Sequence, residues 1–117
     1  MKRTIYTKSD NSPVWYWSRG LHDAVLTERR YTPGDGRTPN CLEITLDAKH
    51  AMFDTAIRAI RFLNCKELTP DAPLEGSWWV RDSLTREGKK YTLEITCGNK
   101  NSSFTYAVRF ENCQIIR

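Results

Sequence analysis

No apolar run in this chain of 117 residues approaches the length of a membrane span, and the opening stretch, MKRTIYTKSDNS, has basic residues with no apolar segment behind them that could form the core of a signal peptide. These absences place the expected protein in the cytoplasm, away from membranes. The four cysteines, Cys41, Cys65, Cys97 and Cys113, include no Cys-x-x-Cys pair, and there are only two histidines, so no metal site is expected. In a reducing compartment those cysteines should be free thiols, and strand interiors are their expected location. A glycine-rich phosphate loop is missing, as is a Gly-x-Ser-x-Gly nucleophile turn. The sequence therefore nominates no cofactor and no catalytic residue.

Charge of one sign is also not concentrated anywhere. The net charge is +4, yet residues 1–60 hold nine Lys/Arg against seven Asp/Glu and residues 61–117 repeat that balance, so neither half is a basic arm. Nucleic acid is accordingly an unfavoured partner. The doublets Lys2-Arg3, Arg29-Arg30 and Lys89-Lys90 read first as solvated surface. A length of 117 residues with 39% hydrophobic and 27% charged side chains fits one globular domain over 1–117.

What the chain does contain is a repeated phrase. AIRFLNCKEL at 59–68 echoes AVRFENCQII at 107–116, and CLEITLD at 41–47 echoes TLEITCG at 92–98. Upstream of each lies a tryptophan cluster (WYW at 15–17, WW at 78–79), then Leu26-Thr27 or Leu84-Thr85, then Tyr31 or Tyr91. The spacing between the LEIT and RF phrases differs by three residues between the halves. We read two degenerate repeat halves, about 14–68 and 77–117, as two supersecondary units.

The repeated unit has the period of a half-buried strand. Leu42, Ile44 and Leu46 alternate with Glu43, Thr45 and Asp47; Tyr91, Leu93 and Ile95 alternate with Thr92, Glu94 and Thr96; Phe104, Tyr106, Val108 and Phe110 extend the pattern. REGKK at 86–90 and GNKNSS at 98–103 read as hairpin connections, TPGDGRTPN at 32–40 as a longer loop, and TPDAPLEG at 69–76 as the link between halves. One segment conflicts with this scheme. In DAKHAMFDTAIRAIRFL the residues Ala48, Met52, Phe53, Ala56, Ile57, Ile60 and Leu63 recur at helical spacing. Its echo alternates, so the expectation is a loop or single helical turn near 48–55 and a strand from about 57 to 66. The fold expected is all-β, or a β-rich α+β arrangement, with an antiparallel sheet forming a sandwich or a strongly curved sheet from two similar meanders. Ile60, Phe62, Val108 and Phe110 should face inward, with Arg61 and Arg109 on the opposite side.

Chemistry concentrates in GLHDA at 20–24. A histidine beside an aspartate can serve as a general base or as half of a metal site, but strand neighbours point to opposite faces, which favours a structural role for both. His50 and Asp54 would meet only on a helical turn. For the four tryptophans core packing is the first reading; the functional one is an exposed aromatic platform for sugar rings, bases or a protein partner. The candidate binding residues are Trp15, Trp17, His22, Asp23 and Trp79.

The order of tryptophan cluster, GLHDA, strand, LEITL, IRFLNC and GSWWV, over residues 14–117, resembles small bacterial proteins of unassigned function with a Leu-His-Asp signature and an antiparallel sheet. Some immunity proteins encoded beside polymorphic toxins are similar in size and pattern. The resemblance implies a non-enzymatic protein-interaction module, of immunity type or a mobile-element accessory, with a protein partner and homodimerisation left open. Two alternatives stand beside it: an aromatic-platform binder of carbohydrate or nucleic acid using Arg29, Arg30, Lys89 and Lys90, and a small hydrolase using His22 and Asp23.

Overall fold

The structure is a computed structural model that describes residues 4–6, 21–51 and 56–116. It is all-β: the described residues contain nine strands and no helix. In chain order these are β1 (Thr4–Tyr6), β2 (Val25–Thr32), β3 (Cys41–Asp47), β4 (Ala59–Leu63), β5 (Lys66–Glu67), β6 (Trp78–Glu87), β7 (Lys90–Gly98), β8 (Ser103–Phe110) and β9 (Asn112–Ile116). All pairings are antiparallel, in the order β5-β8-β7-β6-β2-β3-β4-β9, with β1 beside β6.

The two ends of that path meet. β4 runs through Asn64 and Cys65 into β5, and β8 runs through Glu111 into β9. Leu63 pairs with Asn112 and Lys66 with Arg109, three residues further on each strand, so one unbroken register joins β4–β5 to β8–β9. Counting each joined pair as one strand, six strands form a closed ring, which is the strongly curved alternative realised. Closure explains the burial: interior-facing residues of β2, β3, β4, β6, β7, β8 and β9 belong to a single apolar cluster.

The ring is tight except at one seam. β2 and β6 pair only at Val25↔Trp78, reinforced by Leu26 N–H donating to Ser77 O at 2.8 Å and Trp79 N–H to Ala24 O at 2.8 Å. Beyond this point β6 is paired by β1 instead, at Thr4↔Arg86 through Tyr6↔Leu84. On β2 the backbone N–H of Arg29 donates to the Glu75 carboxylate at 3.2 Å, and a capped edge is less open to further strand pairing.

β2-β3-β4 and β6-β7-β8 are each consecutive antiparallel neighbours, as two meanders require. The echoed RF-x-NC phrases lie against one another: Phe62 pairs with Cys113, and the same register puts Cys65 opposite Phe110. That relation is a local twofold about the midpoint of the joined strands. Phe62 and Phe110 are fully buried with ring centroids 4.9 Å apart, while Arg61 and Arg109 are exposed, as the alternation requires. The LEIT strands do not match as closely. Leu42 pairs with Phe62, whereas Leu93 pairs with Val108 and Tyr91 with Phe110, a slip of two residues that keeps every side chain on its face.

The expected hairpins form. Gly88, with φ 61, turns the chain between Glu87 and Lys90, and Asn99 closes the 98–103 connection by accepting from the N–H groups of Asn101 and Ser102. The helical spacing through Ile57 and Ile60 is overridden. β4 is paired on both edges, by β3 and by β9, so an extended backbone satisfies its polar groups inside the sheet. The strand expected at 57–66 is interrupted at Asn64, whose φ of 52 bends the path into β5. Met52, Phe53 and Asp54 lie outside the described residues, and with Asp54 the proposed His50 pair.

Candidate functional site

Leu21, 1% exposed, roots the turn that carries His22 and Asp23 into β2. Asp23 adopts φ 72, so the two residues sit on a turn and not along a strand, and their side chains approach: His22 Nε2 lies 3.7 Å from Asp23 Oδ1. His22 Nδ1 is 2.5 Å from the carbonyl oxygen of Val80. A carbonyl only accepts, so Nδ1 carries the proton and Nε2 is the basic nitrogen of the neutral ring. In a hydrolytic triad the carboxylate receives Nδ1–H and Nε2 faces a nucleophile. Here a backbone carbonyl takes the first place and a carboxylate stands beside the second. Among the described residues the ring's partners are this carbonyl and the Asp23 carboxylate.

Trp15 and Trp17 lie outside the described residues. Trp79, expected among the binding rings, is instead core: it is 1% exposed, opposite Cys97, and its indole N–H donates to Asp82 at 2.8 Å. Trp78 faces out at 36% exposure. An added Cβ at Gly98 would lie 2.7 Å from Nε1, 2.8 Å from Cε2 and 3.1 Å from Cζ2 of Trp78. Near-equal distances to the bridgehead carbon Cε2 and to two of its three ring neighbours put the face of the indole, and not its rim, over Gly98. The absent side chain is what lets the ring lie flat.

The four cysteines are free thiols. Burial pushes the Cys97 thiol up to about 11 and that of Cys113 higher still. Cys41 and Cys65, half-buried, are also raised by burial. At Cys41 burial outweighs the one nearby cation, Arg61, so the thiol is still favoured over the reactive thiolate. The doublets disperse: Arg30 pairs with Glu28 at 3.2 Å, Lys90 with Glu111 at 3.1 Å, and Arg29 turns inward. No group of three or more His, Cys, Asp or Glu that could hold a metal occurs among the described residues.

The inward turn of Arg29 opens a site that spacing alone does not reveal. A bulge between Leu26 and Glu28 resets β2, so Arg29 pairs with Ile44 and Tyr31 with Leu42, on the side of the sheet where those two are buried. Arg29 Nη1–H donates to Glu67 Oε2 at 2.8 Å and to Pro70 O at 3.2 Å. Tyr106 O–H donates to the same Glu67 oxygen at 2.6 Å, and burial, reinforced by this carboxylate, holds the phenol far above its ordinary range. Thr69 Oγ1 accepts Ala107 N–H at 3.0 Å, and Leu68 N–H donates to Ala107 O at 2.9 Å. The connector that follows β5 is thereby held to β8.

Beside this cluster Tyr31, Leu42, Cys65, Lys66 and Glu67 line a cleft of about 270 Å³. Asn40 builds its wall, accepting Cys65 N–H at 2.7 Å and donating through Nδ2 to Cys65 O and to the Tyr31 hydroxyl, both at 2.9 Å. Tyr31 is therefore held in place while 54% exposed, and Leu68, at 37%, stands nearby on the β5 side. Sequence reasoning missed Asn40, Lys66, Glu67 and Leu68 in this role because nothing in their local spacing ties them together. Comparison with protein-family models, curated proteins and solved structures finds no match.

Proposed function

We propose that the chain is a non-enzymatic protein-interaction module of the immunity or mobile-element accessory type, acting by occupying a partner. The observation that supports this most is Tyr31: a large aromatic side chain, 54% exposed, fixed through its hydroxyl by Asn40 at the rim of an apolar-floored cleft. A pre-positioned tyrosine supplies contact area at little entropic cost, the usual character of an interface anchor. Four free thiols suit a cytoplasmic setting, and no described helix is long and apolar enough to cross a membrane. The twofold relation of the RF-x-NC strands supports descent from a duplicated meander, within one domain over 1–117.

The test is co-expression of the full chain with the product of each gene encoded beside its own, followed by titration calorimetry. A stable complex is expected, and Tyr31→Ala should weaken it by roughly 30-fold, the scale of a hot-spot aromatic. Absence of any complex, or binding indifferent to Tyr31→Ala, would reject the proposal.

One observation favours a second reading. Trp78, flat on Gly98 with Arg81, Thr96, Ser103 and Thr105 on the same outward face, is an arrangement on which a sugar ring could stack. Loss of soluble-glycan binding on Trp78→Ala would establish it; an array with no binding would remove it.

A further inference from the structure

Lys66 and Arg109 are directly opposed on neighbouring antiparallel strands, both side chains exposed. Like charges in that position repel. The surrounding cations are compensated: Arg61 meets Glu43 at 2.6 Å, Lys90 meets Glu111 at 3.1 Å, and Arg29 meets Glu67 at 2.8 Å. The side chains of Lys66 and Arg109 form no hydrogen bond or ion pair among the described residues, and the nearby carboxylates Glu67 and Glu111 are engaged elsewhere. Lys66 also lines the Tyr31 cleft, and just past the end of β5 Leu68 stands exposed. Lys66, Arg109 and Leu68 thus share the outward face at the lip of the cleft that Tyr31 lines from the inner side.

We infer that this surface receives a protein segment that places an aspartate or glutamate carboxylate between Lys66 and Arg109 and apolar side chains against Tyr31 and Leu68. The inference rests on the protein-binding reading above and adds the chemistry of the partner. A carboxylate set between the two cations accepts charge-assisted hydrogen bonds from both and offsets their like charge. A nucleic-acid backbone fits less well, because two free cations supply too few phosphate contacts for useful affinity at physiological salt.

The experiment selects peptides from a random display library on the immobilised full chain and maps the winners by amide and side-chain NMR shifts. Winners are expected to carry Asp or Glu beside an apolar residue, to move Tyr31, Lys66, Leu68 and Arg109 signals, and to weaken by at least about tenfold on Lys66→Glu. That substitution sets a carboxylate opposite Arg109, so the variant should melt no lower than the parent, which separates lost binding from lost folding. Peptides that bind the Tyr31 cleft without an acidic residue, and ignore Lys66→Glu, would overturn this inference while leaving the protein-binding reading intact. No peptide at this surface, with a single-stranded oligonucleotide bound there instead, would overturn both. Self-association lost on Lys66→Glu would replace the acidic segment with a second copy of the chain, and the inference as stated would fall.

Discussion

Removing the phenyl ring at Phe62 or Phe110 tests the closed ring at its most crowded point. Both side chains are fully buried, their centroids are 4.9 Å apart at an interplanar angle of 50°, and Phe110 also stacks on Tyr91 at 5.7 Å. Each Phe→Ala change loses the transfer energy of the ring and leaves a cavity that the paired strands around it cannot collapse, a cost of about 3–5 kcal/mol. A chain of this length is stable by on the order of 6–18 kcal/mol, so either variant forfeits a large share. In urea, with an m-value of roughly 1.5 kcal/mol per M, the midpoint should fall by about 2–3 M. The rings touch, so the double variant loses their mutual contact once and should be less destabilised than the sum of the singles by about 0.5–1.5 kcal/mol. Arg61→Gln and Arg109→Gln, at exposed positions on the other side, should move the midpoint far less. The reasoning fails if one Phe→Ala variant is as stable as the parent while the other unfolds, or if the two losses add without coupling.

Two further outcomes follow from the packing. The thiol of Cys97, ordinarily near 9, is raised to about 11 by burial, and that of Cys113 is raised further, so each favours its neutral form in the folded protein. Their contribution is fully present below about pH 9 and is lost as pH rises through the folded values, at about 1.4 kcal/mol per pH unit per thiol. Urea midpoints should therefore drop steeply above about pH 9 and less steeply in a Cys97→Ala variant; a flat profile to about pH 10 would contradict the burial argument. Gly98→Ala would set a Cβ 2.7 Å from Trp78 Nε1, so the indole must lift, with a red-shifted emission and a loss of about 1–3 kcal/mol that Trp78→Ala relieves. Unchanged fluorescence would mean that the ring does not lie on the glycine.

The alternation of Leu42, Ile44 and Leu46, and of Leu93, Ile95 and Tyr106, made the strands legible, because side-chain period follows from backbone geometry within one segment. Turns at Gly88 and Asn99 were legible for the same local reason. The likeness of RF-x-NC to itself was visible too, although not that the two copies pair with each other. The features that shape the candidate site depend on how distant segments are set against one another. A two-residue slip between the meanders leaves every alternation unchanged and so leaves no mark in the sequence. The bulge after Leu26 adds one residue and turns Arg29 to the inner side, which decided the partner of Glu67 and opened the Tyr31 cleft. Either of Trp78 and Trp79 could have faced out by composition; pairing with Gly98 and Cys97 decided which. Chain-local patterning thus determined that there are strands and which residues of each are apolar. Register, bulges and the meeting of β4–β5 with β8–β9 placed Lys66 against Arg109, because those are relations between strands far apart in the chain and only the closed sheet sets them.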